Sequence, residues 1–369
     1  MRLKRITYEN FRNHRLLSFE PSEGVNLIYG PNGSGKTSIL EGIHYCALTK
    51  GFVSAKDGEC LLFGSDYFLL HGVFIDCSEN QTTVKVTCQR EKEKQIIVNN
   101  SEIKPFSSHI GNIPCITFSP SEIVIVNGAP AERRRFIDNA ISQTDRRYLD
   151  DLLSYRRVLH QRNALLSQLY ERKNVHGDML AIWTENISKL AASIVHARIK
   201  FLAVFFQYFC EIYGKLSSKD QPSINYGCSL EKIREDTPVE LLYSRFLSRY
   251  KETEKQEIQR AQTMTGPHRD DLFFLLDGKE IKKYASQGQL RTFLICLKLS
   301  QQRLFNAAFG ENPVCLFDDI FSELDASRRA DIFGILETCG QTIITSAERR
   351  EQRNVHVFSM ESLKKNREP

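Results

Sequence analysis

Val25-Asn26-Leu27-Ile28-Tyr29, then Gly30-Pro31-Asn32-Gly33-Ser34-Gly35-Lys36-Thr37, then Ser38-Ile39-Leu40: this stretch decides the fold. A short apolar run breaks off at a glycine-rich loop, and beyond it Ile39, Leu40, Ile43 and Ala47 recur at helical spacing. The order is strand, loop, helix, with one helix face buried against a sheet. Glycines at 30, 33 and 35 let the backbone curl into a concave loop whose N–H groups point inward, and the following helix aims its positive dipole end at the same spot. Such a cradle suits a polyphosphate. The loop matches G-x-x-x-x-G-K-[ST] at every position, so Lys36 is expected to neutralise β and γ phosphates and the Thr37 hydroxyl to ligate Mg²⁺.

On either side of this loop the chain alternates in strand fashion. Residues 2–8, 67–76, 82–90 and 94–98 read as strands, with a polar turn at Asn99-Asn100-Ser101, so an antiparallel meander flanks the loop. From about residue 133 to 213 long helices take over, and Leu180, Trp183, Ile187, Leu190 and Ile194 form a stripe at three-and-four spacing. Only a few heptads fit before Gly214, so the stripe is read as a packing seam in a compact lobe. Helical signal returns at 238–260, and strands at 271–277 and 280–284 meet around Asp277-Gly278. The last hundred residues resume alternation: a helix from Gln289, a strand at 313–317, a helix at 326–338 and a strand at 342–344.

The acids that a phosphate loop needs stand late in the chain. Val314-Cys315-Leu316-Phe317 is a buried-strand run ending in Asp318-Asp319, which puts two carboxylates at a strand tip beside the phosphates. Asp318 is expected to face Mg²⁺ and Asp319 to polarise attacking water. Ser286-Gln287-Gly288-Gln289 opens a strongly apolar helix containing Phe293, Leu294, Ile295, Leu297 and Leu299, a second anion-favouring helix start. Ser322-Glu323-Leu324-Asp325 follows the paired acids closely.

Composition narrows the class. The chain has 369 residues, 41% apolar and 26% charged, with 50 Lys+Arg against 45 Asp+Glu for a formal charge of +5. That is ordinary globular composition with room for two lobes, and it excludes disordered, collagen-like and mucin-like chains. The longest unbroken apolar run, 201–206, is far short of the roughly 20 residues of a spanning helix, so no transmembrane segment is expected. Charges run throughout residues 1–15, which leaves no apolar centre for a secretory signal and points to a cytoplasmic protein. Ten cysteines are scattered singly from Cys46 to Cys339 without a C-x-x-C pair, as expected of reduced, buried thiols.

Together these motifs resemble the ATP-binding-cassette heads of chromosome-maintenance and repair proteins, with a phosphate loop early and a Ser-x-Gly-Gln signature and acid-tipped strand late. Only 250 residues separate Lys36 from Ser286, too few for the coiled-coil arms of condensin-type or Rad50-type proteins. A transporter-type cassette would carry its signature much closer to the loop and a switch histidine after the last strand, where this chain has Ile343-Ile344-Thr345-Ser346. The remaining motifs are similar to the RecF family of recombination mediators along nearly the whole chain. They are Phe11-Arg12-Asn13, Phe118-Ser119-Pro120, Arg133-Arg134-Arg135-Phe136-Ile137-Asp138, Gln161-Arg162-Asn163-Ala164-Leu165-Leu166 and Gly266-Pro267-His268-Arg269-Asp270-Asp271. Gln287 departs from the basic residue often found there, and the basic cluster near Lys50 to Lys56 is sparse.

The resemblance implies an α/β fold: an ABC-type P-loop ATPase head with a mixed sheet, flanking helices and an antiparallel meander, plus an inserted helical lobe. The head is expected at 1–125 and 263–369, and the lobe at 126–262. ATP and Mg²⁺ are the implied cofactors. Gly30, Pro31, Asn32, Gly33, Ser34, Gly35, Lys36, Thr37 and Ser38 would cradle ATP, with Arg12 and Asn13 approaching from the first hairpin. Ser286, Gly288 and Gln289 would reach the γ-phosphate of ATP held by a second copy, Asp325 would cross that interface, and Lys36 with Asp319 would carry a weak, DNA-stimulated ATP hydrolysis. The implied partners are a second copy, DNA at gaps or single-strand/duplex junctions, and RecR, RecO and RecA, in recombinational repair, replication and the SOS response. The lobe's charge is clustered: Arg133, Arg134, Arg135, Arg146, Arg147, Arg156 and Arg157, then Lys189, Arg198 and Lys200, are candidates for sequence-nonspecific DNA contacts. His268 is read as part of a structural corner.

Overall fold

The computed structural model describes residues 1–53, 56–171, 178–217, 220–231, 233–322, 324, 326–349 and 353–365. They form two compact units. The first comprises Met1–Ile123, Glu211–Ser218 and Ser286–Pro369, and the second Val124–Cys210 and Lys219–Ala285.

The chain opens with β1 (Arg2–Phe11), β2 (His14–Phe19), β3 (Val25–Tyr29) and α1 (Lys36–Leu48). Strands β4 (Tyr67–Ile75), β5 (Gln81–Gln89), β6 (Gln95–Val98), β7 (Ser101–Glu102) and β8 (Cys115–Phe118) follow. Next come α2 (Val124–Asn127), α3 (Pro130–Thr144), α4 (Arg146–Glu171), α5 (Asp178–Leu216), β9 (Pro222–Gly227) and α6 (Val239–Arg260). Strands β10 (Asp271–Leu276) and β11 (Lys279–Glu280) and the single turn α7 (Ile281–Tyr284) precede α8 (Gln287–Phe309). The C-terminal part holds β12 (Val314–Phe317), α9 (Ala326–Leu336), β13 (Thr342–Ser346), β14 (Val355–Ser359) and α10 (Met360–Lys365).

In the first unit two sheets enclose α1. One is antiparallel, in the order β2-β1-β4-β5-β6-β7, and the other is parallel, β14-β3-β13-β12-β8. Ile39, Leu40, Ile43, Cys46 and Ala47 of α1 share one core with Leu3, Ile6, Tyr8 and Leu70 of the first sheet and Ile28, Leu316 and Ile343 of the second. Covered on both faces, the parallel strands are apolar without alternation, as Val314–Phe317 shows. Register then fixes the functional edge. Phe317 pairs with Ile344, and Thr345 with Ile28, so the ends of β3, β12 and β13 come out side by side at one rim of the sheet.

The second unit contains α3, α4, α6, most of α5 and the antiparallel sheet β11-β10-β9. Leu180, Ile187 and Ile194 of the predicted stripe are buried in α5. By length and composition Met179–Leu216 is apolar enough to cross a membrane, contrary to the expectation from unbroken runs. Its midpoint nevertheless carries Arg198, 2% exposed and ion-paired to Asp138 and Asp270, and Ala191, Ala192 and Val195 are buried beside the stripe.

Two expectations are corrected. The return to the head lies at residue 286 and not 263: β10 pairs with β9 (Leu272 opposite Tyr226), and Asp270 is buried against Arg198, so 263–285 stay with the second unit. Residues 280–284 are not a strand. Only Lys279–Glu280 pair with β10, and Ile281–Tyr284 turn into a helix. Seven cysteines (46, 60, 88, 115, 296, 315 and 339) are buried free thiols, while Cys77 and Cys210 are exposed.

Candidate nucleotide-binding site

The loop between β3 and α1 turns twice through left-handed backbone, at Gly33 (φ 76°) and Gly35 (φ 102°). A Cβ on Gly35 would lie 2.6 Å from both Asn13 Oδ1 and His14 Cε1, so glycine is required there by conformation and by space. The turn joining β1 to β2 grips the loop: His14 Nε2 lies 3.0 Å from the Gly35 carbonyl, and Asn13 Nδ2 donates to the Gly33 carbonyl at 3.3 Å. Among the described residues no side chain caps the start of α1, which leaves its first N–H groups to the cleft.

The cleft beside the loop is about 510 Å³ and is lined by Asn13, Lys36, Thr37, Asp318, Asp319 and Thr345 together with loop backbone. Lys36 folds back so that its Nζ donates to the carbonyls of Gly30 (2.7 Å) and Pro31 (3.0 Å). Burial lowers its pKa from the ordinary lysine value, against the pull of Asp318 and Asp319. An arriving phosphate offers that ammonium a charged partner in place of two neutral carbonyls.

At the sheet rim the Thr37 hydroxyl stands 3.0 Å from both oxygens of Asp318, and the Thr345 hydroxyl donates to Asp318 Oδ1 at 2.5 Å. Burial raises the Asp318 carboxyl above the usual range, although the hydroxyls of Thr345 and Thr37 oppose the shift. Thr345 Oγ1 also accepts the Asp319 backbone N–H at 3.0 Å, and the Asp319 carbonyl accepts from Arg291 Nη2 at 2.8 Å. Pinned at both ends, Asp319 adopts φ 47° and presents its carboxylate on the cleft wall.

The residues fit Mg²⁺. A hydroxyl and a carboxylate are hard oxygen donors, and among the described residues no cluster of three His, Cys, Asp or Glu side chains forms a closed cage. Mg²⁺ typically keeps several waters and binds through one or two carboxylates plus substrate phosphates. The loop also holds a buried Ser34 Oγ with no hydrogen-bond partner among the described residues, a donor poised in the cradle.

Ser286 caps α8 through a reciprocal box: its Oγ accepts from Gln289 N–H at 3.2 Å, and Gln289 Oε1 accepts from Ser286 N–H at 2.9 Å. Ser286 and Gln287 are exposed, so this helix start is open to an anion, and a Cβ on Gly288 would meet Arg328 Nη1 at 3.2 Å. Arg12 does not line the cleft. Its guanidinium makes a fork with the 2%-exposed Glu41, Nε at 2.7 Å and Nη2 at 2.8 Å, and Nη1 donates to the Glu59 carbonyl. Asp325 and Glu323 lie outside the described residues.

The basic cluster divides. Arg133, 3% exposed, forks onto Asp271, and Arg198 is sealed between Asp138 and Asp270, so neither is placed to touch DNA. Arg134 is half-buried and donates to the Asp270 carbonyl. Arg135, Arg146, Arg147, Arg156 and Arg157 are exposed. His268 sits 2.6 Å from the Tyr155 hydroxyl and 3.2 Å from the Thr263 carbonyl, in keeping with a structural corner. Sequence reasoning missed two supports of the site, His14 and Arg291. The signal for His14 was its place two residues after Arg12 in the first hairpin. For Arg291 it was a charged residue within the apolar run of α8.

A family model described as an AAA domain matches residues 5–332. Curated relatives called DNA replication and repair protein RecF include that of Chlorobium phaeovibrioides, 57% identical over 94% of this chain and 94% of its own. That of Chlorobaculum tepidum is 47% identical over the full length of both chains. Among solved structures, one of the recombination mediator protein RecF with ATP superposes with a TM-score of 0.87 at 31% identity, covering 95% of this chain and 93% of the other. An Smc head bound to the C-winged helix domain of ScpA shares the fold, with a TM-score of 0.55 at 13% identity over 94% and 89%. The chain belongs to the RecF family of DNA replication and repair proteins.

Proposed function

We propose that this chain is an ATP-dependent recombination mediator whose nucleotide is shared between two copies. The observation that carries the reading is the linked set Thr37–Asp318–Thr345–Asp319, in which one buried carboxylate and one pinned carboxylate meet the phosphate loop at the sheet rim. Lys36 and the α1 N–H groups hold the β and γ phosphates, and Thr37 and Asp318 hold Mg²⁺, which neutralises charge on those phosphates. Asp319 orients and polarises the attacking water. The open helix start at Ser286–Gln289 meets the γ-phosphate bound by the second copy, with Asn13 beside the nucleotide and Asp325 at the shared interface.

ATP then favours the paired state by its higher affinity for it, and loss of the γ-phosphate lets the pair separate. Hydrolysis is slow and DNA-stimulated, a timer and not a motor. The exposed arginines of the second unit, doubled by pairing, contact DNA phosphates without sequence preference at gaps and junctions in the cytoplasm. RecR, RecO and RecA are the partners in that setting. Arg12 serves by bracing α1 through Glu41, and it reaches the nucleotide only by giving up that pair.

Sedimentation with ATP and Mg²⁺ tests the reading. Lys36→Ala is expected to lose both ATP binding and the dimer, while Asp319→Asn binds ATP and accumulates dimers. An Asp319→Asn protein that stays monomeric with ATP bound, with or without DNA, would overturn the shared-nucleotide scheme.

A further inference from the structure

The second unit contains a cleft that the nucleotide reading does not use. It is about 230 Å³, and its floor is apolar, formed by Leu152, Leu159, Tyr155 and Pro267. Two of the family-like segments build it: Arg134, Arg135 and Asp138 come from the first, and Pro267 and His268 from the second.

Its walls are basic, and one cation is only partly satisfied. Arg134 Nη1 donates to the Asp270 carbonyl at 2.8 Å, its one hydrogen bond among the described residues, and its side chain is part of the cleft lining. Burial first and the neighbouring Arg198 second push the Arg134 pKa down, against the pull of Asp271, Asp138 and Asp270. The acids nearby are already committed. Asp138 pairs with Arg198 at 2.8 Å and Asp271 with Arg133, while Asp270 accepts from Arg198 and Tyr226. Arg156 stands at the mouth, 61% exposed and 3.8 Å from Asp138. His268 adds no charge at neutral pH, since burial lowers it to about 4.

A basic wall over an apolar floor selects its occupant. A DNA phosphodiester satisfies the arginines but gains nothing from Leu152 and Leu159. A carboxylate next to an apolar side chain satisfies both, and a cleft of this volume takes about one such side chain. We infer that this cleft is a docking site for an acidic protein segment, with a carboxylate on Arg134 and an adjacent leucine- or phenylalanine-sized side chain on the floor. The site is independent of the nucleotide: it lies wholly within the second unit and asks nothing of the phosphate loop.

The probe is a fluorescein-labelled peptide, Gly-Asp-Glu-Asp-Leu-Phe, titrated by anisotropy into the full-length protein without nucleotide. Two comparison peptides replace the acids by Asn and Gln, or Leu-Phe by Ser-Ser. Saturable binding is expected for the first peptide only, weakened at least tenfold by Arg134→Gln and abolished by Leu159→Asp. Both variants should keep the wild-type circular dichroism and ATP affinity, which separates a lost site from a lost fold. The inference is overturned if the acidic peptide does not bind, if either comparison peptide binds equally well, or if Arg134→Gln leaves its affinity unchanged. It is also overturned if Arg134→Gln lowers retention of a single-stranded oligonucleotide while peptide binding persists, which would make the cleft a nucleic-acid contact.

Discussion

Arg162 and Glu257 form an ion pair with both side chains 0% exposed, and the energetics of that pair can be tested directly. Arg162 Nη2 donates to Glu257 Oε2 at 2.7 Å and Nη1 to Thr263 Oγ1 at 2.9 Å, and the guanidinium lies 4.9 Å from the Tyr250 ring centroid. Glu257 Oε1 accepts the Met264 N–H at 2.7 Å. Glu257→Gln keeps an oxygen for Met264 but leaves a buried guanidinium without its counter-charge, at a cost of about 3–5 kcal/mol. Arg162→Met strands the carboxylate at a similar cost of about 3–5 kcal/mol. The double variant removes both charges. Its new amide oxygen still serves Met264, and the Thr263 hydroxyl still has Asn163 Oδ1 at 2.7 Å, so no charge is stranded and the residual cost is that of neutral groups left short of a partner, about 1–2 kcal/mol. At about 2–4 °C per kcal/mol, each single variant should melt roughly 6–20 °C lower and the double variant only a few degrees lower. The single tryptophan makes the assay local: Trp183 packs on the cluster of Leu165, Leu166 and Leu180 beside Ile258, so its fluorescence in urea reports this unit. A double variant less stable than either single one would refute the reasoning, because the pair would then be worth more than the desolvation it costs.

Three other expectations follow from the nucleotide site and the basic surface. Gly35→Ala should abolish ATP retention on a filter while the fold survives: the left-handed backbone costs an alanine about 1–2 kcal/mol, and the new Cβ displaces Asn13 and His14. Burial raises the Asp318 pKa, so its charged form, which Mg²⁺ needs, is lost at a higher pH than for an ordinary aspartate as pH falls. Thr345→Val removes a hydroxyl that favours the charged form, and a titration of Mg²⁺-dependent ATP binding should show its acid midpoint moved upward; an unmoved midpoint would exclude this role. DNA retention with ATP should fall steeply with salt, and changing Arg146, Arg147 and Arg157 to Gln should flatten the log–log slope by roughly 0.7–0.9 per phosphate contact removed, read by gel shift over a salt series.

What was legible in the sequence was whatever depends on neighbours in the chain. The strand–loop–helix at 25–48 and the acids ending 314–317 read directly, because an apolar run followed by turn chemistry has few alternatives. Long-range pairing was not legible. β9 has no alternation to announce it, and its register with β10 helps keep 263–285 in the second unit. The arginines show the same limit. A run of three reads as a surface, yet Arg133 meets an aspartate 138 residues away. Helical spacing held the missing signal: Arg133 shares a face with Phe136, Ile137 and Ala140, all buried, whereas Arg135 points the other way and is exposed.

The three family-like segments of the second unit have one physical effect in common. Arg133 and Asp138 come from the first, Arg162 and Asn163 from the second, and His268, Asp270 and Asp271 from the third, and each buries a polar side chain against a partner on another element. Buried pairs of this kind add little stability over well-packed apolar residues, but a broken one is costly, so they penalise every packing except the one that satisfies all of them. Such pairs favour one register of the helices that carry them. That single register is what places Arg134 and Arg156 around an apolar floor while Arg146, Arg147 and Arg157 remain on the surface. Charge in this unit therefore acts in two separable ways, sealed pairs setting geometry and exposed arginines setting affinity. Salt should weaken the second without loosening the first, since exposed charges are screened within about 8–10 Å and buried pairs much less so.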